Sequence, residues 1–134
     1  MANNLNLSNA AANAGLDAIT ALLNSGFLDI YDGSQPANAN IAIGAQVRLA
    51  SLTFGATAFG ASAAGVAAAN AIGTDVSNDA TGTATWARLW KSDHTSVVMD
   101  LSVGTSGCDI NLDSVAIQVG AQTSITALTL TLPE

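Results

Sequence analysis

Hydrophobic positions near the start of the chain recur with helical spacing. Ala12, Leu16, Ile19 and Leu23 are separated by four, three and four residues, which places them on one face of a 3.6-residue period. Ser8 or Asn9 stands before them as an N-cap, and Asn24-Ser25-Gly26 follows as a stop, because asparagine and glycine tolerate left-handed backbone at a helix C-terminus. A helix over about 8–23 is predicted, then a chain reversal. From residue 27 the period falls to two. Residues 27–31 read as a short strand closed by Asp32-Gly33-Ser34-Gln35-Pro36, and residues 47–54 and 65–72 read as two more. In 83–91, Ala84, Trp86, Arg88 and Trp90 alternate with Thr85, Ala87, Leu89 and Lys91. The turn tetrad Ser92-Asp93-His94-Thr95 then leads into 97–103, where Val97, Met99, Leu101 and Val103 share one face and Asp100 and Ser102 the other. These two segments are predicted to pair as an antiparallel hairpin. Residues 114–119 and 124–132 complete the set. Ile125 is out of phase with Leu128, so a bulge or a late strand start is expected near Ala127.

About seven short strands after one helix, at intervals of roughly 10–15 residues, indicate a mainly β chain: an antiparallel β-sandwich or jelly-roll-like barrel with one N-terminal helix. The length of 134 residues fits a single domain over 1–134. No repeat of fixed period is visible. The Ala- and Gly-rich run 56–71 is the candidate for a long, mobile or partner-ordered loop. The longer stretch 49–74 has no charge and could reach across a bilayer, but Gly55, Gly60, Gly65 and Gly73, with polar Ser51, Thr53, Thr57, Ser62 and Asn70, make it too polar for a spanning helix. No membrane partner is expected. The opening MANNLNLSNAAANAG shows neither a basic n-region nor an apolar h-region, so no secretory signal is expected either.

Charge narrows the classes further. Only 10% of residues are charged, and ten acids against three bases (Arg48, Arg88, Lys91) give a net charge of −7. Phosphate neutralisation needs a basic patch, so no nucleic-acid partner is expected. One cysteine, Cys108, and one histidine, His94, allow neither an internal disulfide nor a Cys/His zinc cluster. His94, in a tight turn between Asp93 and Thr95, reads as a solvated side chain without an orienting partner, and Cys108, beside Asp109, as a partly buried loop cysteine. No phosphate-cradling glycine motif occurs, and no cofactor is expected.

Carboxylates form three close pairs: Asp29 with Asp32, Asp75 with Asp79, and Asp109 with Asp113. Within 75–79, Asp75, Asn78 and Asp79 offer oxygen ligands that make a weak calcium candidate, against a reading as a polar surface turn, because the glycine and bidentate glutamate of a helical calcium loop are missing. Paired acids for glycoside hydrolysis would all have to be loop aspartates, since the one glutamate is Glu134. No catalytic residue is assigned and no enzyme is expected. Trp86, Arg88 and Trp90 on one strand face form the interface candidate. They read as core or a subunit contact in preference to a sugar-binding or single-strand-binding platform.

Several segments carry a resemblance: 28–37 (LDIYDGSQPA), 49–54 (LASLTF), Ala58-Phe59-Gly60, 82–88 (GTATWAR), 103–107 (VGTSG), 109–112 (DINL) and the closing 126–133. Together they resemble the small virion proteins of tailed phages over nearly the whole chain, and within that group most a capsid cement or decoration protein. The resemblance implies a structural protein on the outer capsid surface, made in the host cytoplasm. Its partners would be the major capsid protein and copies of itself as a homo-oligomer, dimer or trimer. A neck, tail or head-fibre component is the nearest alternative, and a carbohydrate-binding adhesin module built round Trp86 and Trp90 is the alternative from another class.

Overall fold

A computed structural model describes residues 5–132, so the expectations placed on the first four residues and on Glu134 lie outside the described residues. The chain is mainly β with one helix. In order, the elements are α1 (Asn9–Ala21), β1 (Phe27–Tyr31), β2 (Arg48–Phe54), β3 (Val66–Ala68), β4 (Ile72–Gly73), β5 (Gly82–Thr83), β6 (Trp86–Trp90), β7 (Val97–Gly104), β8 (Ile110–Asn111), β9 (Ala116–Ile117) and β10 (Thr129–Thr131). Six of the strands form one sheet in the order β4-β2-β1-β6-β7-β8, and the rest pair as β10-β3 and β5-β9. All pairings are antiparallel except β7 with β8.

The helix starts at Ser8, whose hydroxyl accepts from the Ala11 N–H at 3.1 Å. Its buried stripe is Ala12, Leu16, Thr20 and Leu23; Thr20 takes a place the spacing gave to Ile19, which is only half-buried. The stop also differs in detail from expectation. Ser25 holds the left-handed conformation, φ 57°. Asn24 turns its side chain to accept from the Ala58 N–H, and Gly26 is required because a Cβ there would collide with the carbonyl oxygens of Trp90 and Leu23.

The period-two pattern sorts the main sheet into two faces. On the inner face, Leu28 lies between Leu52 and Leu89, and Ile30 between Ala50 and Ala87; Ala87 and Leu89 continue to Leu101 and Met99. These side chains join Leu16 of α1, Leu23 just after it, and Leu128 and Leu130 near β10 in one hydrophobic core. The hairpin of β6 and β7 has the expected direction. Its register shifts between Leu89 and Trp90, so Val97 stands opposite Trp90, while Val98 and Met99 both pack on the core. The bulge therefore removes Val97 from the face it was expected to share with Met99.

Several of the expected strands are shorter than their patterns. Residues 83–91 divide into β5 and β6 because the Ala84 N–H donates to Val115 and the Thr85 N–H to Tyr31, which breaks the ladder. The C-terminal strand begins late, at Thr129, after the out-of-phase Ile125. The run 56–71 is not a free loop. Its main-chain N–H groups at Ala58, Ser62 and Gly65 donate to the side chains of Asn24, Asp17 and Asn13, and β3 within it pairs with β10. Hydrogen bonding from Ser62 holds the Asp17 carboxyl below its ordinary range. No described helix is long and apolar enough to cross a membrane.

Candidate functional site

The outer face of the sheet collects most of the chain's chemistry. Alternation in β1 puts Phe27, Asp29 and Tyr31 on this face. The register then sets them opposite Trp90, Arg88 and Trp86 of β6, and sets Asp29 opposite Ser51 of β2. Arg88 in turn lies opposite Asp100 of β7. Although this is the face turned away from the core, Trp86 is 0% exposed and Arg88 and Asp29 are each 1% exposed. Of the three interface candidates, only Trp90 retains accessible surface.

Arg88 is held on every side. Its Nε donates to Asp100 Oδ1 at 2.7 Å and its Nη2 to Oδ2 at 2.9 Å, a bidentate pair that keeps the guanidinium charged above its ordinary range. Its Cζ lies 5.4 Å from the Trp86 ring centre and 5.9 Å from that of Trp90, so the cation sits between two aromatic faces. Tyr31 stacks on Trp86 at 4.7 Å, and Trp86 Nε1 donates to the Asp32 carbonyl. Burial, followed by the nearby Asp29 charge, holds the Tyr31 phenol well above its ordinary value.

Asp29 is the other centre. Its Oδ1 accepts from Ser51 Oγ at 2.6 Å, and its Oδ2 is 2.7 Å from His94 Nε2 and 3.8 Å from Arg48 Nη1. His94 is thus not the solvated, unpartnered turn residue its sequence context indicated. The turn 91–96 folds back over the sheet, with His94 at φ 58°, its N–H donating to Lys91 and its ring stacked on Phe27 at 3.9 Å and 9°. Asp93 fastens that turn by accepting from Thr95 and Ser96, and the Ser96 hydroxyl bond is the largest cause that holds its carboxyl well below the usual range. The Asp29–His94 contact spans 65 positions in the chain. The one sequence signal for it was the alternation that put Asp29 in line with Phe27 and Tyr31.

Serine, histidine and aspartate therefore meet here, but in the wrong order for nucleophilic catalysis. A catalytic triad has the imidazole in the middle, taking the serine proton while the carboxylate orients it. In this site the carboxylate is in the middle: Ser51 Oγ donates to Asp29, and His94 contacts that same carboxylate. The hydroxyl has no imidazole beside it to take its proton. What the arrangement does supply is satisfaction of a carboxylate buried in a strand, which would otherwise be strongly unfavourable.

The other carboxylates also serve as fasteners. Asp75 accepts from the N–H groups of Ser51 and Ser77, Asp79 pairs with Arg48 at 2.9 Å, Asp32 accepts from Val47, and Asp109 accepts from Ser102. Asn78 is buried, donating to the Gln118 carbonyl and accepting from the Thr123 hydroxyl. The calcium candidates Asp75, Asn78 and Asp79 thus each hold separate protein partners, and no cluster of three or more metal-type side chains occurs among the described residues. Asp113 lies apart, lining an open groove of about 300 Å³ beside Asn78 and Gln118. Cys108 is a half-buried free thiol in the turn between β7 and β8.

At the Asn78 end, loops 75–79 and 118–123 are laced together by reciprocal main-chain bonds between Asp75 and Thr123 and by bonds from Asn78 to Ala121 and from Gly120 to Asn78. They carry two of the most exposed aliphatic side chains, Val76 at 68% and Val119 at 62%. No protein family, curated protein or solved structure matches the chain.

Proposed function

We propose that the chain is a structural virion protein of a tailed phage, a capsid cement or decoration protein that binds the outer shell and stabilises it. One observation carries the reading: most of the carboxylates, with Arg48, Arg88 and His94, are engaged in internal fastening, while aliphatic side chains such as Val76 and Val119 are presented to solvent on loops pinned by the buried Asn78. A preformed surface of this kind favours binding because little ordering entropy remains to be lost on contact. With three basic residues, two of them already paired to carboxylates, long-range charge gives little attraction to a shell. The finer architecture, a sandwich or jelly-roll-like barrel, belongs to the same proposal. It is supported by a core in which the main sheet's inner face meets Leu128 and Leu130 from the β10 side.

The test is co-sedimentation of the purified chain with shells assembled without it, at low salt and at about 0.5 M salt, where the Debye length is roughly 4 Å. Binding at both salts, with release of the shell at higher temperature, is the expected result. Failure to sediment with shells at either salt overturns the role. Copy number in purified virions separates a shell position from a neck, tail or fibre position.

A further inference from the structure

Eight of the chain's nine aspartates accept a hydrogen bond from the protein itself. Asp113 is the exception: it accepts none and forms no ion pair among the described residues. The molecule's own cations are not at hand for it. Arg48 and Arg88 are committed to Asp79 and Asp100, and Lys91 lies exposed in the turn after β6. The backbone at Asp113 is nonetheless fixed. On one flank the Leu112 N–H donates to the Gly104 carbonyl at 2.8 Å, and on the other the Val115 carbonyl accepts from the Ala84 N–H at 2.8 Å. The open groove of about 300 Å³ that Asp113 lines is bounded by this segment and by residues 118–124. Buried Leu112 and Ile117 give it apolar walls, and exposed Gln118 and Gln122 give it amides. Val119 follows Gln118 in the chain. Val76 follows Asp75, whose reciprocal main-chain bonds to Thr123 hold the two loops side by side at the groove.

We propose that this groove takes a basic side chain, lysine or arginine, presented by the capsid shell, with apolar neighbours of that residue seated on Val76 and Val119. The inference rests on the shell-binding reading and names the chemistry that its partner needs. Charge complementarity selects the occupant. A long basic side chain carries a charged head on an aliphatic stem, and the groove offers Asp113 for the head and Leu112 and Ile117 for the stem. Amide oxygens of Gln118 and Gln122 can accept the donors that one carboxylate leaves over. A phosphate-bearing partner has the wrong sign for this carboxylate. A lone metal ion has too few ligands, because Asp113 belongs to no cluster of three metal-type side chains among the described residues. An ion pair open to water contributes little, but one enclosed by apolar contacts that exclude water contributes more. Since the site offers a single charge, the valine contacts remain the larger part of binding at high salt.

The test titrates shells assembled without the chain with the purified full chain and its variants, at low salt and at about 0.5 M salt. Asp113→Asn should weaken binding about tenfold at low salt, and Asp113→Lys about a hundredfold, because a like charge then meets the basic side chain. Both losses should shrink at the higher salt, whereas the loss caused by Val76→Ser together with Val119→Ser should persist. Circular dichroism should be unchanged throughout, since all three side chains are exposed. Glu134→Gln changes the net charge as Asp113→Asn does and should bind as the unaltered chain. Undiminished binding by Asp113→Asn and Asp113→Lys overturns the groove and leaves the shell-binding reading standing. An equal loss with Glu134→Gln does the same, because the effect is then one of overall charge. Self-association of the chain that Asp113→Asn and Lys91→Met each abolish, with shell binding intact, gives the groove to a second copy and also overturns the proposal. Absence of binding by the unaltered chain at either salt overturns the groove and the reading together.

Discussion

Replacing Arg88 with methionine tests whether the outer face of the sheet is a second interior. The substitution keeps an unbranched stem and a polarisable group between Trp86 and Trp90, so the aromatic packing is largely retained. What it removes is the partner of Asp100, whose side chain is 5% exposed and whose two oxygens both accept from the guanidinium. Breaking a buried pair from one side leaves an uncompensated charge and costs about 3–5 kcal/mol. That is a large part of the roughly 5–15 kcal/mol that stabilises an ordinary domain. At about 4 °C per kcal/mol for a chain of this size, Tm should fall by roughly 12–20 °C. Removing the second charge as well, with Arg88→Met and Asp100→Leu together, should recover most of the loss, since an apolar replacement of a buried pair is often neutral or stabilising by about 1–4 kcal/mol. Urea unfolding in dilute solution, followed by tryptophan fluorescence, reads both variants, and an unchanged slope with denaturant shows that stability alone has moved. A loss below about 1 kcal/mol for the single variant would mean that the pair behaves like a solvated surface pair and would refute the burial argument.

Two further outcomes follow from the same geometry. Tyr31 is the chain's one tyrosine, and its folded-state pKa is raised above the unfolded value of about 10. Its contribution to stability is therefore complete below about pH 10 and is lost as pH rises toward the folded value. Phenolate absorbance should show no step near pH 10 and should appear only with unfolding; a reversible step near pH 10 in the folded protein contradicts the burial. Asn78→Ala should cost about 1–3 kcal/mol for the buried Thr123 hydroxyl left unpaired, with little added from the solvent-exposed Gln118, and should speed hydrogen exchange at the Asp75 and Thr123 amides. Unchanged exchange would show that the main-chain lacing holds those loops without the side chain.

Local patterns in the sequence read well where a single period governs a segment. The helix with its Ser8 cap, β1, and the β6–β7 hairpin all follow from spacing that a neighbour on one side enforces. The pattern failed where backbone hydrogen bonds leave the ladder. β5 and β6 are separated because Ala84 and Thr85 bond elsewhere, and nothing in their side chains announces it. The run 56–71 looked loose because its own side chains are small, yet what fixes it is the helix's polar residues, Asn13 and Asp17, together with Asn24. Those lie outside the apolar stripe and carry no periodic signal. The site failed for a related reason. Asp29 was visible as a polar residue in a strand, but its partners Ser51 and His94 arrive through β2 and through a turn far along the chain. A positive φ at His94 is a property of the finished turn, which local composition leaves open.

The central place of β1 between β2 and β6 has a kinetic consequence. The β6–β7 hairpin closes through the short turn 91–96, and β1 reaches β2 across residues 32–47, so both pairs form from contacts near in sequence. Joining them requires Phe27 to find Trp90 and Tyr31 to find Trp86, about 55–63 positions away. Loop-closure entropy must be lost before that ladder returns any stabilisation, which places folding in the slow, nonlocal regime of roughly milliseconds to seconds. The Asp29–His94 contact and the Trp86–Asp32 hydrogen bond secure the two ends of this one seam. Once it is joined, the same long closure gives the folded chain a cooperative unit in which neither hairpin opens without the other.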